Sequence, residues 1–183
     1  MATLSKEDGK LYYKLWLPLL DYVNKKYKIN CKIKDMAKAK TLDPNMVKAV
    51  ANKLYEDAEV IDEYLSKYSE ITTDHKAIIA GWKKRVSGTF VIERHLKRGS
   101  MLISGDGGKV YQVVGIISSL EEMFRYAPMP LMINATLLPF RDVIITDGLI
   151  MPYNVMIGSN MKRMFKEEYM PAKKSGKIIK SLQ

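Results

Sequence analysis

The sequence predicts an α+β protein: helical to about residue 87, β-rich to about residue 158, and closed by a basic helix. Three observations carry this. Leu11, Leu15 and Leu19 recur every four residues near the start, which is the spacing of one helical face. From Gly88 the apolar runs become short and β-prone, and turn residues separate them. Residues 162–180 hold seven basic against two acidic side chains on a helical pattern.

The first helix is expected after Ser5, with Glu7 and Asp8 in its first turn, where acids favour the helix dipole. Tyr12, Trp16, Leu20 and Val23 widen its apolar face, and their aromatic rings read as core. Pro18 inside this run predicts a kink or a split. Residues 25–40 then carry Lys25, Lys26, Lys28, Lys32, Lys34, Lys38 and Lys40 against Asp35 alone. Asp43-Pro44 is a restart signal, with Asp43 as N-cap and Pro44 at the first helical position. Val47, Val50, Ala51 and Leu54 follow at helical spacing, then Val60, Ile61, Tyr64 and Leu65. Thr73 or Asp74 is expected to cap one more helix, holding Ile78, Ile79 and Trp82.

In the back half, residues 89–92 and 100–104 read as strands. Gly105-Asp106-Gly107-Gly108 reads as a hairpin turn leading to a strand at 110–114. Ser118-Ser119 followed by Glu121-Glu122 opens a short helix. Further strands are expected at 131–138, 143–146 and 149–157, separated by Pro139 and by Asp147-Gly148. Five or six short strands predict a small bent antiparallel sheet or partial barrel. The organisation expected is therefore a helical part at 1–87 and a β-rich part with the basic helix at 88–183. Pro171 and Gly176 should break that last helix.

The chemistry of an enzyme is thinly represented. His75 and His95 fit no metal-ligand spacing, and neither a metal nor a cofactor is expected. Cys31 stands alone, so it forms no internal disulfide, and a reducing cytoplasm is the expected setting. The opening MATLSKEDGK has no apolar signal core, and no run of apolar residues would span a membrane. The 105–108 glycines lack the phosphate-loop pattern and precede a strand rather than a helix. A hydrolase acting through Asp142, Asp147 or His95 is the last-ranked reading, since Asp147-Gly148 is itself a turn signature. The chain is expected not to be an enzyme.

Binding is better supported. The formal charge is +10, which points to a polyanionic partner. Residues 33–55 allow a helix-turn-helix: a short helix at 33–40, a turn at 41–43 and a second helix from Pro44. It would expose Asn45, Lys48, Asn52 and Lys53 to bases and phosphates. The lysines of the two basic stretches are the other candidates: Lys32, Lys34, Lys38 and Lys40 in the first, and Lys162, Arg163, Lys166, Lys173 and Lys174 in the second. Such residues hold phosphates without reading sequence.

Three stretches look alike to a known group: Leu138 to Leu149, Met151-Pro152-Tyr153-Asn154, and Phe165-Lys166-Glu167-Glu168-Tyr169. Together with Lys10 to Lys28 and Val47 to Leu54, they resemble a group of gut-bacterial and mobile-element proteins that includes a type II anti-CRISPR protein. The resemblance implies a phage or mobile-element protein that inhibits Cas9, with the Cas9–guide RNA complex as partner. An inhibitor that mimics DNA would be acidic, and this chain is basic. The implied route is contact with guide RNA, bound DNA or an acidic protein surface, or the blocking of a conformational step. The alternative read from the residues is a DNA-binding regulator using the 33–55 helix pair.

Overall fold

The computed structural model describes residues 2–31, 35–39 and 41–182. The protein is α+β, and its chain divides into two compact units. One is Glu7–Lys83; the other combines Met1–Lys6 with Lys84–Gln183.

The helical unit holds α1 (Lys6–Tyr27), α2 (Pro44–Glu56), α3 (Glu59–Lys67) and α4 (Thr73–Gly81). Helix α1 runs unbroken through Pro18, so the expected split does not occur. Its buried face is Tyr12, Leu15, Trp16, Leu19, Leu20 and Val23, the rows that the leucine spacing marks. Asp43 caps α2 by accepting from the Asn45 backbone N–H at 2.9 Å, with Pro44 opening the helix. The cap of α4 is Thr72 rather than Thr73 or Asp74: its hydroxyl accepts from the His75 N–H. Trp16 meets Trp82 edge-on at 5.2 Å between centroids, and Tyr12 meets Trp82 at 5.9 Å. These aromatics are core, as their helical spacing implies.

The barrel unit is built from β1 (Val86–Leu96), β2 (Gly99–Ser104), β3 (Val110–Val113), α5 (Leu120–Met123), β4 (Leu131–Phe140), β5 (Val143–Thr146), β6 (Met151–Pro152) and α6 (Ser159–Lys174). The sheet order is β1-β2-β3-β5-β4-β6, and β1 also pairs with β4. Five strands therefore close on themselves. Strand β1 makes this possible: residues 86–92 pair with β4 and residues 90–96 with β2, with a register shift between Ile92 and Arg94. Such a shift bends a strand and lets it serve two sheets. Strands β3 and β5 are parallel; the other pairs are antiparallel.

The barrel interior holds Phe90, Ile92, Leu102, Tyr111, Val113, Ile133, Leu137 and Ile144, with Leu120 of α5 among them. A capping box fixes α5: the Ser119 hydroxyl accepts from the Glu122 N–H, and the Glu122 carboxylate accepts from the Ser119 N–H.

Two expectations about strands need correction. Strand β4 runs through Pro139 to Phe140. The pairing of β1 with β4 ends at Leu137, so Pro139 sits where β4 has a neighbour on one side only, and its missing donor is tolerated. Of residues 149–157, only Met151 and Pro152 form a strand. They pair with Asn134 and Ile133, close to the start of β4 at Leu131, and Pro130 before it has no N–H with which to extend the ladder. Helix α6 continues past Pro171 to Lys174, and Gly176, at φ +68°, follows its end.

Candidate nucleic-acid interface

Charge is divided unequally between the units. The barrel unit has 16 basic and 8 acidic residues, a net +8, while the helical unit has 14 and 12, a net +2. Polyanion attraction should therefore centre on the barrel unit.

Within that unit α6 is amphipathic. Its inner side places Tyr169, Phe165, Met170 and Ala172 on Met101, Ile103 and Val110, the outward residues of β2 and β3. Strand β2 is consequently buried on both faces. The outer side of α6 exposes Lys162, Arg163, Lys166, Lys173 and Lys174. At about 100° per residue, Lys162, Lys166 and Lys173 fall within roughly 40° of one another, and span about 16 Å along the axis. Among the described residues, Arg163 is the only one of the five with a carboxylate within 4 Å, that of Glu167 at 3.9 Å. The row is thus a set of solvated cations on a helix held by a buried tyrosine.

Beside α6 lies a groove of about 680 Å³. Its lining includes Ser87, Gly88 and Thr89 of β1, the 104–106 turn, Lys109, Met161 and Phe165. No atom stands within 4 Å of where a Gly88 side chain would begin, and Gly88 pairs with Ala135 on the same side of β1 as Phe90. The Thr89 hydroxyl lies 3.2 Å from that of Tyr153.

The other candidates fall elsewhere. Lys32, Lys34 and Lys40 lie outside the described residues. Lys38 is exposed and pairs with Asp35 at 3.2 Å. Residues 36–38 form a turn, stabilised by Asp35 accepting from the N–H groups of Ala37 and Lys38. Among the described residues, then, the first helix of the expected helix-turn-helix is absent; an Asp side chain competing for local backbone donors favours a turn there. The second helix is present as α2. Asn45 and Asn52 are exposed on it and Lys48 is half-buried; these three share one face at spacings of three and four. Lys53 is held by Glu56 at 3.0 Å and lies over the Tyr27 ring at 5.1 Å.

Of the candidate catalytic groups, His95 lies on β1, Asp142 in the β4–β5 link and Asp147 just after β5. Asp147 is buried and its carboxylate accepts from the Leu149 N–H at 3.0 Å, the turn that Asp147-Gly148 implies. Asp142 is exposed in the two-residue link between β4 and β5. His95 places Nδ1 2.7 Å from the Ser100 hydroxyl. Among the described residues no cluster of three or more His, Cys, Asp or Glu side chains could hold a metal ion, and no helix is long and apolar enough to cross a membrane.

Sequence reading locates the α6 cations but not the groove beside them, because it arises from pairing between distant strands. The strands close in the order β1-β2-β3-β5-β4, with β4 back on β1, β3 and β5 parallel and a helix between β3 and β4. No family profile, curated protein or solved structure matches the chain.

Proposed function

We propose that the chain is a non-enzymatic nucleic-acid-binding protein that grips phosphates through its barrel unit. The observation that carries this reading is the concentration of +8 of the +10 charge on that unit, with a lysine row along α6. Since α6 covers the outward residues of β2 and β3, bases would not stack on that face. The strand would instead run along α6, next to the β1 groove. Contacts of this kind are electrostatic and sequence-tolerant.

Labelled single-stranded DNA and RNA should bind with an affinity that falls as salt rises. Replacing Lys162, Lys166 and Lys173 together by Ala should reduce the slope of log K against log salt by about 2, at about 0.7 per phosphate on a single strand. Absence of salt-dependent binding, or an unchanged slope in the triple variant, would sink the reading.

The resemblance makes the Cas9–guide RNA complex the first nucleoprotein to try. Target cleavage titrated with the chain should be suppressed, and the triple variant should suppress it less. Undiminished cleavage at large excess removes Cas9 inhibition without removing nucleic-acid binding.

The exposed Asn45 and Asn52 on one face with Lys48 favour a second reading, a duplex-binding regulator using α2. Duplex binding weakened by Lys48→Ala with Lys53→Ala, yet indifferent to the α6 variant, would select it.

A further inference from the structure

A second surface of the barrel unit has a different character. After β6 the chain runs from Tyr153 to Gly158 without regular structure, and it turns its apolar side chains outward. Met156 is 97%, Val155 53% and Tyr153 40% exposed, and all three line the groove beside the strap. Facing this strap is Pro128-Met129-Pro130-Leu131; between the two lies a groove of about 320 Å³ with Lys162 in its lining.

Solvent-facing apolar side chains clustered in this way are the signature of a protein interface. Methionines suit such a surface, because their flexible thioethers adapt to a partner. Pro128, Pro130 and Pro152 stiffen the groove walls, which lowers the ordering cost of binding.

Charge decides the occupant. Residues 126–140 and 148–166 contain no Asp or Glu, yet include Lys162, Arg163 and Lys166. A second copy would bring like charges together. A flat lipid surface would meet the rim of a concave groove rather than fill it. An acidic chain with large apolar side chains satisfies both features.

We propose that the groove between Pro128–Leu131 and Pro152–Ile157 docks an acidic segment of another protein. Its apolar side chains displace water from Met129, Val155 and Met156, and its carboxylates face Lys162 and, one turn further along α6, Lys166. The cations set its orientation and encounter rate, while the buried apolar anchors set its lifetime.

The test is a displayed library of random peptides of about 12 residues, a length that spans such a groove, panned on the full chain. Enriched peptides should be net negative with two or more large apolar residues. Their binding should weaken at least about tenfold in Met156→Asp and in Val155→Asp, as for central interface anchors. It should also weaken in about 0.5 M NaCl, where charges are screened. Both variants alter exposed side chains, so they should keep the parent melting temperature, and Met156→Ser and Val155→Ser, which add no charge beside Lys162, should weaken peptide binding while keeping the parent single-stranded DNA affinity. Failure here is thereby separable from failure of nucleic-acid binding. Enrichment without an acidic bias, or equal binding by Met156→Asp, overturns the proposal. So does self-association lost in Met156→Asp, which would make the occupant a second copy. Sedimentation with phosphatidylserine vesicles lost in Met156→Asp, without peptide binding, would make it a lipid surface.

Discussion

The guanidinium of Arg94 lies over the ring of Tyr169, 4.5 Å from its centroid, and so ties β1 to α6. Arg94 is oriented by its neighbour Glu93, whose Oε1 accepts from Nη2 at 2.8 Å. The tyrosine is 1% exposed and packs on Met101, Ile103 and Val110. Tyr169→Ala should therefore cost about 3–5 kcal/mol, as for other large aromatic truncations in a core, whereas Tyr169→Phe should cost under about 1 kcal/mol because it keeps the ring. Urea denaturation measures both. Equal effects would mean that the ring does not anchor the helix.

His95 should make stability depend on pH. Its Nδ1 meets the Ser100 hydroxyl, while Nε2 is buried with no partner among the described residues. Burial lowers its pKa, and the charge of Glu121 opposes this more weakly. The folded value thus lies below the unfolded value of about 6.5. The neutral ring is favoured in the fold, so its contribution is whole above about pH 6.5 and is lost as pH falls through that value towards the folded pKa. His95→Gln should flatten the change in denaturation midpoint between about pH 7 and pH 5. An unaltered profile would assign that dependence to other groups.

Gly115 is a position where no side chain fits. A Cβ there would meet the Ser118 carbonyl oxygen at 2.0 Å, and the same residue binds the N-terminal segment through Leu4 N–H to Gly115 O at 2.9 Å and Gly115 N–H to Ala2 O at 3.0 Å. Gly115→Ala should destabilise the barrel unit by at least about 2 kcal/mol through forced backbone displacement. A variant with an unchanged melting temperature would show that the 115–118 turn yields freely.

Ser119→Ala removes one half of the capping box and should cost about 1 kcal/mol. The other half titrates. The N–H of Ser119, and then its hydroxyl, hold the Glu122 carboxyl below the usual carboxylate range. A depressed folded pKa gives stability that is present above the unfolded value of about 4.3 and is lost as pH falls through the folded value. Glu122→Gln should therefore reduce the acid-side loss of stability seen in denaturation curves below about pH 5. The same loss in both proteins would exclude Glu122 as its source.

Local signals made much of this fold legible. The leucine spacing marks the buried side of α1, Asp43-Pro44 marks the start of α2, and the 105–108 glycines mark the β2–β3 turn. Each is decided within a few residues. What the sequence hides is decided across the chain. Strand β2 shows no alternation because α6 covers its outer face, so Met101 and Ile103 are as buried as Leu102. Barrel closure depends on β1 serving both β2 and β4, which no local window contains. Pro139 reads as a terminator until the missing neighbour beyond Leu137 is known. The cations of α6 were visible as charge, but their gathering in the more basic unit appears only once the chain is divided at Lys83.

Thr3 pairs with Gly115, and Ile179 pairs with Tyr111. The first contact joins positions 112 apart in sequence, with the whole helical unit between them. Closing so long a loop is entropically costly, and topologies rich in distant pairings fold slowly. The helices of residues 7–83 rest on nearer neighbours, and their collapse shortens the effective span between residue 3 and the β3 region. Refolding should thus run in two tempos: an early helical phase, then a slower one in which the barrel gathers its first and last segments around β3.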